Sequence, residues 1–377
     1  MNQLYFGDCL DVLKELNRKY PSGIIDLIYN DPPFNSKRNY NVLFESIDLK
    51  DTKAQKEAFA DTWSNVSYHD TLAEIHELDI DLFRFLTALD GIKISKGAIS
   101  YLTLMAIRIW YMHKVLKDTG SFYLHCDSNM SHYLKIICDL IFGYKQYQNE
   151  IIWQRTTNTG SSKSIAKKFS QDTDTILYYT KSSKFIFNKL FREYGKDYFK
   201  RFKYKDDLGY FRWSALKTFS SERLKEWEEK GMIRHGKNAS YPEYKQYLDD
   251  LKGVPMNNLW NDIFHINPMA KEKLGYPTQK PIELLLRILS ASSNPGDLVA
   301  DFFCGCGTTV AAAQKLNRKW LGVDISHLAI KLILKRLSDP YSDDIKGNIL
   351  NDIDLSGFPK DIDSAKELAR HTDKHRI

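Results

Sequence analysis

The sequence predicts an α/β fold with a doubly wound, mostly parallel sheet that carries an inserted module. Short β-branched apolar segments alternate with helical segments at both ends of the chain, as in layered α/β architectures. These segments lack a polar side, as expected of strands that helices cover on both faces. Between residues 151 and 267 the alternation stops, so we expect a separate module there.

The composition of the 377 residues indicates a globular protein of two or three domains. Hydrophobic residues make up 43% and charged residues 27%, which argues against extensive disorder. The sequence contains no run of about 18 apolar residues and no secretory signal pattern, so we expect no membrane association. Five irregularly spaced cysteines predict no disulfide framework. We therefore expect a cytoplasmic protein.

Positive charge is concentrated in the middle of the chain. The whole sequence has a net charge of +6, whereas residues 151–260 hold 22 Lys and Arg against 13 Asp and Glu, a net charge of +9. The same segment holds 21 of the 49 aromatic residues. This composition suits a polyanion with stackable bases, such as a nucleic acid. A solvated basic face around an aromatic core explains it equally well.

The first predicted elements are a helix and a buried strand. Asp8 can cap a helix with leucines at helical spacing, which ends at Pro21 to Gly23. Residues Ile24 to Tyr29 then form a short apolar strand. It runs into Asn30 to Phe34 (NDPPF), where two prolines cannot continue a sheet. This stiff loop lies at the carboxyl end of a strand, where ligands bind in open α/β sheets.

Residues 35–100 are polar and irregular, apart from a helix expected near Ile80 to Leu89. The next elements alternate between helix and strand. They are a helix over Tyr101–Lys117 ended by Gly120, a strand over Ser121–Cys126, and a helix over Tyr133–Phe142 capped by Ser128.

The alternation resumes after Pro281. We expect a helix over Ile282–Ser292, a strand over Leu298–Phe303, a glycine-bearing turn, a helix through Leu316 and a strand over Trp320–Asp324. A Gly-x-Gly turn between strand and helix, with an acid ending the next strand, is typical of nucleoside binding, although many such turns only pack a helix onto a strand. Asp324 can accept hydrogen bonds from ribose hydroxyls. A third glycine is missing, which favours a smaller adenosyl ligand over NAD.

The NDPPF loop has the residue types needed to act on an exocyclic amino group of a nucleobase. Such a nitrogen is a poor nucleophile because its lone pair is delocalised into the ring. The Asp31 carboxylate and the Pro32 carbonyl can accept its two N–H bonds and draw it towards a tetrahedral shape. Phe34 offers a face on which the base can stack. An ordinary Asp-Pro-Pro turn is the alternative, and the preceding strand favours the functional interpretation.

Five motifs together resemble one enzyme family. They are Gly7-Asp8-Cys9, Asp31-Pro32-Pro33-Phe34, Gly120–Asp127, Tyr276–Pro281 and Asp301–Thr309. The sequence resembles the amino-group DNA methyltransferases, which use S-adenosyl-L-methionine as the methyl donor. Asp31 precedes Asp301 by 270 residues, which is similar to the permuted motif order of the β-group, with the target-recognition segment between the two motifs. The resemblance covers about residues 3–335.

The resemblance implies roles for the matching residues. The catalytic loop that holds a flipped-out base would comprise Asp31, Pro32, Pro33 and Phe34. Cofactor binding would involve Asp8, Cys9, Gln279, Lys280, Pro281, Asp301, Phe303, Cys304, Gly305, Gly307, Thr308, Thr309 and Asp324. Among these, Asp324 matches the ribose-binding residue, and Asp8 matches a residue near the adenine. Phe302, Cys306 and Phe34 stand where many relatives have Pro, Ser and Tyr.

Double-stranded DNA is the partner that charge and resemblance predict together. Rotating a base out of a duplex costs a few kcal/mol, which phosphate contacts and stacking can offset. The candidate phosphate contacts are Lys163, Lys167, Lys168, Lys200, Arg201, Lys203 and Lys205. For any one of them a solvated surface position is the commoner outcome, so the argument depends on their clustering.

The resemblance divides the chain into four parts. They are a first catalytic part over 1–150 with an excursion at 45–100, a target-recognition insert over 151–267, a cofactor-binding part over 268–338 and a charged tail over 339–377. Further partners implied are a cognate restriction endonuclease and, through residues 45–100, a second copy of the chain. No metal site is expected, because Cys304 and Cys306 have no second cysteine pair at zinc spacing. We expect structural roles for His125, Trp153 and Trp260.

The expected reaction is methyl transfer to N6 of adenine, since relatives with Asp at the first position of the tetrad mostly act there. Transfer to N4 of cytosine is the main alternative. A catalytically idle DNA-binding subunit of a restriction–modification complex, or a methyltransferase for proteins or small molecules, are further alternatives. The intact tetrad argues against the idle subunit, and the basic, aromatic middle segment against the last class.

Overall fold

The computed structural model describes residues 2–33, 68–92, 95–157, 167, 169–236, 240–276, 278–338 and 352–357. The chain divides into two compact units. The larger one comprises Met1–Asn188 and Asn258–Ile377, and the smaller one comprises Lys189–Asn257.

The described strands are numbered in chain order. They are β1 (Asn2–Phe6), β2 (Ile25–Asn30), β3 (Leu116–Cys126), β4 (Tyr147–Gln154), β5 (Thr173–Thr180), β6 (Phe191–Arg192), β7 (Tyr204–Asp206), β8 (Gly209–Ala215), β9 (Ile233–Arg234), β10 (Glu243–Tyr247), β11 (Val254–Pro255), β12 (Leu259–Trp260), β13 (Leu298–Asp301), β14 (Lys319–Asp324) and β15 (Ile353–Ser356).

The described α-helices are numbered in the same way. They are α1 (Cys9–Lys19), α2 (Tyr68–Leu78), α3 (Ile80–Asp90), α4 (Lys96–Val115), α5 (Ser131–Phe142), α6 (Lys196–Phe199), α7 (Ser221–Glu229), α8 (Ile282–Ser292), α9 (Thr308–Lys315) and α10 (His327–Ser338). None of the helices in the described ranges is long and apolar enough to cross a membrane.

A nine-stranded sheet forms the centre of the larger unit. Its described strands follow the order β12-β4-β5-β3-β2-β13-β14-β1-β15. All neighbours are parallel except β5, which is antiparallel to both β4 and β3. Strands β1, β2, β13 and β14 therefore end at one common edge of the sheet, and the loops that follow them meet there. The predicted doubly wound, mostly parallel α/β fold is confirmed.

Helices cover both faces of this sheet. All six residues of β2 are buried, and the consecutive side chains of Leu27, Ile28 and Tyr29 alternate between two hydrophobic clusters. Ile28 packs in one cluster with residues of α1, α4 and α5. Leu27 and Tyr29 pack in the other with residues of α8, α9 and α10. Burial on both faces explains why the strand sequences lack polar alternation.

Several predicted elements match the observed ones closely. Helix α8 has the predicted bounds, and β2, β13, β14 and α3 differ from expectation by one or two residues at an end. Asp8 caps α1, because its Oδ1 accepts a hydrogen bond from the Leu10 N–H at 2.9 Å. Ser128 does not cap α5; the Asp127 Oδ1 accepts from the Met130 N–H at 3.1 Å instead. Trp153 and Trp260 are buried, as a packing role requires.

Two sheet strands near the ends of the chain were not predicted. Strand β1 lies between β14 and β15, and its five residues are too few to show a period. Strand β15 comes from the region predicted as a charged tail and pairs with β1 at the sheet edge. This strand has only 4 residues, and two of them are exposed. Neither strand has an apolar pattern strong enough to be detected alone.

The predicted insert began too early and ended too late. Strands β4 and β5 occupy residues 147–180 and belong to the large sheet, so the compact second unit comprises Lys189–Asn257 and not residues 151–267. The prediction failed because a long connection, residues 155–172, separates two adjacent antiparallel strands and hides their pairing. The assignment of target recognition to the second unit stays a prediction.

The smaller unit contains an antiparallel four-stranded sheet in the order β7-β8-β10-β9. Phe211 on β8 is buried, and its ring contacts the rings of Tyr204, Trp213 and Tyr247. Several cations lie on aromatic rings; the Lys245 ammonium, for example, is 4.9 Å from the centre of the Phe211 ring. Phe202, Phe211 and Tyr247 are the buried aromatic residues of this unit, whereas others, such as Tyr204 and Tyr210, are about half exposed.

Candidate active site

A cavity opens at the carboxyl edge of the large sheet. Its walls come from the loops after β1, β2, β13 and β14, from the segment before α8, and from Arg108 on α4. Within the predicted catalytic tetrad, Asp31, Pro32 and Pro33 line this cavity. Phe34 lies outside the described residues. The sheet order therefore brings the loop after β2 next to the glycine-bearing turn after β13.

The cavity also collects most of the residues predicted to bind a cofactor. Those that line it are Asp8, Cys9, Gln279, Lys280, Asp301, Phe303, Cys304, Gly305, Thr308, Thr309 and Asp324. Pro281 and Gly307 do not line it. Pro281 is buried and precedes α8 as its N-cap, and Gly307 precedes α9 in the same way. Both support the wall without forming its surface.

Glycine is required at two positions of the turn after β13. Gly305 has a φ of 51°, and a Cβ there would lie 3.1 Å from the ring of Tyr276. Gly307 has a φ of 78°, and a Cβ there would lie 2.8 Å from Ile333 Cγ1. The first glycine lets the backbone approach the cavity, and the second lets α9 pack against α10.

Asp324 holds the backbone of this turn from the end of β14. Its Oδ2 accepts from the Gly305 N–H and its Oδ1 from the Ser326 N–H, both at 2.8 Å. Burial raises the pKa of Asp324 to about 6, although the two backbone donors oppose this shift. Each carboxylate oxygen has a further lone pair, so Asp324 can accept hydroxyl groups from the cavity as well.

Asp301 is the most enclosed acid of the site, with an exposed fraction of 3%. Its Oδ1 accepts from the Phe303 N–H at 3.0 Å and its Oδ2 from the Thr309 hydroxyl at 2.5 Å. Burial raises the pKa of Asp301 to about 7, again against these donors. The carboxyl group ties β13 to the start of α9 and shapes the turn between them.

Asp8 is bound by a buried arginine that the sequence did not reveal. The Arg108 Nη2 donates to both Asp8 oxygens, at 2.9 and 3.0 Å, and its Nη1 donates to the Leu104 carbonyl. The only sequence signal was a single charged residue in the mostly apolar middle of a helix. Burial raises the pKa of the neighbouring Cys9 to about 12, so this thiol is protonated and does not act as a nucleophile.

Asp31 is the first residue after β2 and lines the cavity. Its Oδ2 forms a hydrogen-bonded ion pair with the Lys280 ammonium group, and its Oδ1 lies 3.9 Å from His125 Nδ1. The preceding Asn30 is fully buried, and its Oδ1 accepts from the Phe302 N–H at 3.1 Å. The side chain of Asn30 thus joins the end of β2 to the loop after β13.

Behind Asp31 lies a chain of buried polar groups. The Tyr29 hydroxyl is 3.0 Å from His125 Nδ1, and His125 Nε2 is 3.2 Å from the Asp174 Oδ2. Arg155 pairs with the other Asp174 oxygen at 3.1 Å. Burial raises the pKa of Tyr29 well above its ordinary value, so its hydroxyl keeps its proton. His125 is fully buried and supports the site from behind, as its expected structural role requires.

Comparison with known proteins identifies the family. A family model described as DNA methylase matches residues 25–335, most of the chain. The chain belongs to the DNA methylase family. Type II methyltransferase M.EcaI of Enterobacter cloacae is 31% identical over 264 residues, which cover 63% of this chain and 58% of the relative. DNA adenine methyltransferase YhdJ of Escherichia coli is 26% identical over 331 residues, 87% of this chain and 80% of the relative.

Other relatives of this DNA methylase chain are longer or more distant. The type III restriction-modification enzyme StyLTI Mod subunit of Salmonella typhimurium is 26% identical over 84% of this chain and 50% of its own length. The match thus spans half of this subunit and 58% of M.EcaI. The solved structure of TTHA0409 from Thermus thermophilus, complexed with S-adenosyl-L-methionine, has a TM-score of 0.47 at 14% identity and covers 96% of this chain and 99% of that one.

The residues predicted to contact DNA are divided between the two units, and those that the structure describes are exposed. Lys163 and Lys168 lie outside the described residues, and Lys167 is exposed in the larger unit. Lys200, Arg201, Lys203 and Lys205 are exposed in the smaller unit. Lys200 pairs with Asp197, and the Arg201 guanidinium lies 5.3 Å from the centre of the Tyr198 ring. Their contact with DNA stays a prediction.

Sequence reasoning missed some lining residues of the DNA methylase site. The described lining residues that were not predicted as site residues are Gly7, Tyr29, Arg108, Tyr276, Thr278, Leu285, Phe302, Cys306 and Ile325. Gly7, Tyr276, Thr278, Phe302 and Cys306 belong to the motifs quoted for the resemblance, which could have identified them. Arg108, Leu285 and Ile325 carried no motif signal.

Among the described residues, no group of three or more His, Cys, Asp or Glu side chains is placed to hold a metal ion.

Proposed function

We propose that this chain transfers the methyl group of S-adenosyl-L-methionine to the N6 amino group of adenine at a specific site in duplex DNA. One observation carries the proposal. Asp31 and Pro32 line the same cavity as the glycine-bearing turn and Asp324. A group that accepts amino N–H bonds therefore adjoins the residues suited to bind an adenosyl ligand.

The charges of the cavity suit S-adenosyl-L-methionine, which carries a sulfonium and an ammonium group. Four carboxyl groups line the cavity, those of Asp8, Asp31, Asp301 and Asp324, against the cations Arg108 and Lys280. Asp324 would bind the ribose hydroxyls, and the turn over residues 303–309 would hold the methionine part. When bound, the cofactor supplies a methyl group on a positively charged sulfur, which a nitrogen lone pair can attack.

Asp31 and Pro32 prepare the target nitrogen for this attack. The Asp31 carboxylate and the Pro32 carbonyl accept the two N–H bonds of the amino group, so its lone pair turns away from the ring and towards the cofactor. Attack by the nitrogen would form the methyl–nitrogen bond as the methyl–sulfur bond breaks. The Asp31 anion would stabilise the positive charge on the nitrogen until its surplus proton passes to solvent. Phe34 would stack on the flipped base.

The second unit, Lys189–Asn257, is the proposed target-recognition unit. It holds 16 Lys and Arg against 11 Asp and Glu, and 14 aromatic residues among its 69. Basic side chains on its surface can bind phosphates, which positions the duplex but does not read its sequence. A fully exposed phenylalanine, Phe169, lies in the larger unit on the connection before β5. It offers the duplex an apolar contact.

Adenine is the favoured target base because Asp31 occupies the first position of the tetrad. The name of the relative YhdJ, a DNA adenine methyltransferase, agrees with this choice. The experiment is incubation of the purified chain with unmethylated genomic DNA and methyl-labelled cofactor, followed by mass spectrometry of the nucleosides. Labelled N6-methyladenine is expected. Labelled N4-methylcytosine would move the target to cytosine, and DNA binding without any label would support the idle-subunit alternative.

The biological setting that we propose is a restriction–modification system in the cytoplasm. The relatives named as type II methyltransferase and as type III Mod subunit support this setting. A cognate endonuclease and a second copy of the chain are the proposed partners. Protection of genomic DNA from cleavage after expression of the chain would identify the cognate endonuclease specificity.

A further inference from the structure

We propose that Lys280 is a positioning residue for the catalytic carboxylate of Asp31, and that cofactor binding is not its main role. This inference rests on the proposed function, because it concerns how Asp31 is presented to the amino group. The resemblance placed Lys280 among the cofactor contacts. Its ammonium group instead lies on an oxygen of Asp31, a residue 249 positions earlier in the chain.

The contact leaves one oxygen of Asp31 available to the base. The Lys280 ammonium binds Oδ2, and both side chains are largely enclosed, with exposed fractions of 13% and 15%. Among the described residues, the Oδ1 has His125 Nδ1 at 3.9 Å, which is beyond hydrogen-bond distance. A carboxylate held through one oxygen has a fixed plane, so the other oxygen faces a defined direction.

The backbone of Lys280 is anchored to the cofactor side of the cavity. The Thr308 hydroxyl donates to the Lys280 carbonyl at 3.3 Å. The neighbouring Gln279 accepts from the Leu274 N–H at 2.8 Å and donates to the Glu272 carbonyl at 2.6 Å. These bonds fix the chain just before α8. Lys280 therefore joins the base side of the cavity to the turn that is proposed to hold the cofactor.

The surroundings of Asp31 explain why a cation is needed at this place. Asp301, Tyr29 and Tyr276 lie close enough to Asp31 for its negative charge to contribute to their raised pKa values. His125 lies behind it and is shared with Asp174. Without the ammonium group, a partly buried carboxylate among other acids would lose both its counter-ion and its orientation.

The test separates cofactor affinity from methyl transfer. Lys280→Met is expected to lower the single-turnover rate by about 10²-fold, the typical effect of misplacing a catalytic group. The dissociation constant for S-adenosyl-L-methionine, measured by calorimetry without DNA, should stay unchanged. Lys280→Arg, which keeps the charge, should recover much of the rate. Lys273→Met, at an exposed lysine of the same segment, is the matched control and should change neither quantity.

The possible outcomes have distinct meanings. A weaker cofactor affinity with an unchanged rate at saturation would overturn the inference and restore Lys280 as a cofactor contact. An equal loss of the single-turnover rate in Lys280→Met and Lys280→Arg would also overturn the inference. No change in either quantity would overturn it as well. In all these cases the wild-type chain methylates DNA, so the proposed function stands. A wild-type chain that binds cofactor but methylates no nucleoside would overturn both. If Lys280→Met does not fold, Lys280→Gln takes its place with the same expectations.

Discussion

Single carboxyl groups have different tasks in this site, and their contacts distinguish them. Asp31 directly follows β2, lines the cavity and pairs with the side chain of Lys280. Asp301 and Asp324 bond to backbone N–H groups of the turns around them. The first acid is therefore suited to contact a substrate, whereas the other two shape and line the pocket. Substitution of each should affect a different measurable quantity.

Substitution of Asp31 should remove catalysis and leave cofactor binding in place. For Asp31→Ala we expect the methyl-transfer rate to fall by at least 10²–10⁴-fold, about the contribution of a positioned acid or base. Asp324→Ala should weaken cofactor binding first, since its carboxylate holds Gly305 and faces the pocket. Transfer rates and calorimetric affinities for both variants check this division. An active Asp31→Ala variant with poor cofactor affinity would contradict the role of Asp31.

Asp301 should make the stability of the protein depend on pH. Burial raises its pKa to about 7 in the folded state, above the value of about 3.9 in an unfolded chain. The folded state therefore binds more protons between these values, and the Asp301 contribution to stability falls as pH rises through about 7. Asp301→Asn removes this ionisation.

Denaturant unfolding of the ligand-free wild type and of Asp301→Asn at several pH values tests this expectation. Because only the wild-type acid ionises, the stability of the variant relative to wild type should increase with pH, by on the order of a few kcal/mol in total. The comparison cancels the contributions of the other acids. A difference in unfolding free energy between wild type and variant that stays constant from about pH 4 to about pH 7 would show that Asp301 ionises normally.

At the scale of single elements, the turn between β13 and α9 depends on Gly307. Its φ is positive, and a Cβ would come within 2.8 Å of Ile333. Gly296, in the turn before β13, also has a positive φ of 89° but no atom within 4 Å of its Cβ position. Substitutions at these two glycines therefore distinguish the free-energy cost of backbone strain from that of a steric clash.

We expect Gly296→Ala to cost about 1–2 kcal/mol of unfolding free energy, the cost of a left-handed conformation for alanine. Gly307→Ala should cost more, because α9 must also move away from α10, and it should weaken cofactor binding. Chemical denaturation and calorimetry measure the two effects. Equal costs for both variants would mean that the helix pair adjusts freely at Ile333.

Strands β4 and β5 show how far element prediction reached. Most apolar runs at both chain ends were assigned correctly because burial on both faces leaves a signal in a few residues. Gly120, which was predicted to end a helix, lies instead within β3. Residues 151–180 were assigned to the insert, although they complete the sheet beside β3. Pairing of β4 with β5 across residues 155–172 is a long-range event that no local pattern encodes.

For the whole molecule, the separation into two compact units predicts separable functions. Replacing Lys200, Arg201, Lys203 and Lys205 with serine should weaken DNA binding and leave cofactor binding unchanged, since none of them lines the cavity. Each lost phosphate contact should lower the slope of log affinity against log salt by about one. Titrations of a labelled duplex at several salt concentrations measure this slope. An unchanged slope would place the phosphate contacts elsewhere.

The sequence by itself determined the fold class and the family, and it named most of the residues that line the cavity. These depend on local signals: buried strands, stiff loops at their ends, glycines with positive φ and an acid that ends a strand. Each of them acts over a few residues, where backbone sterics and burial decide the conformation. The NDPPF loop and the turn over Asp301–Thr309 could therefore be assigned to one edge of a sheet before any contact was known.

Only the tertiary structure decided which distant residues meet. Arg108 pairs with Asp8 across 100 positions, and Lys280 pairs with Asp31 across 249. The bounds of the second unit were also a tertiary result, since they depend on which strands join the large sheet. Such contacts follow from strand order, register and helix packing, which arise from the summed burial of the whole core. A pattern of a few neighbouring residues does not report on the burial of the whole core. The partners of Asp8 and Asp31 could therefore be identified only in the folded chain.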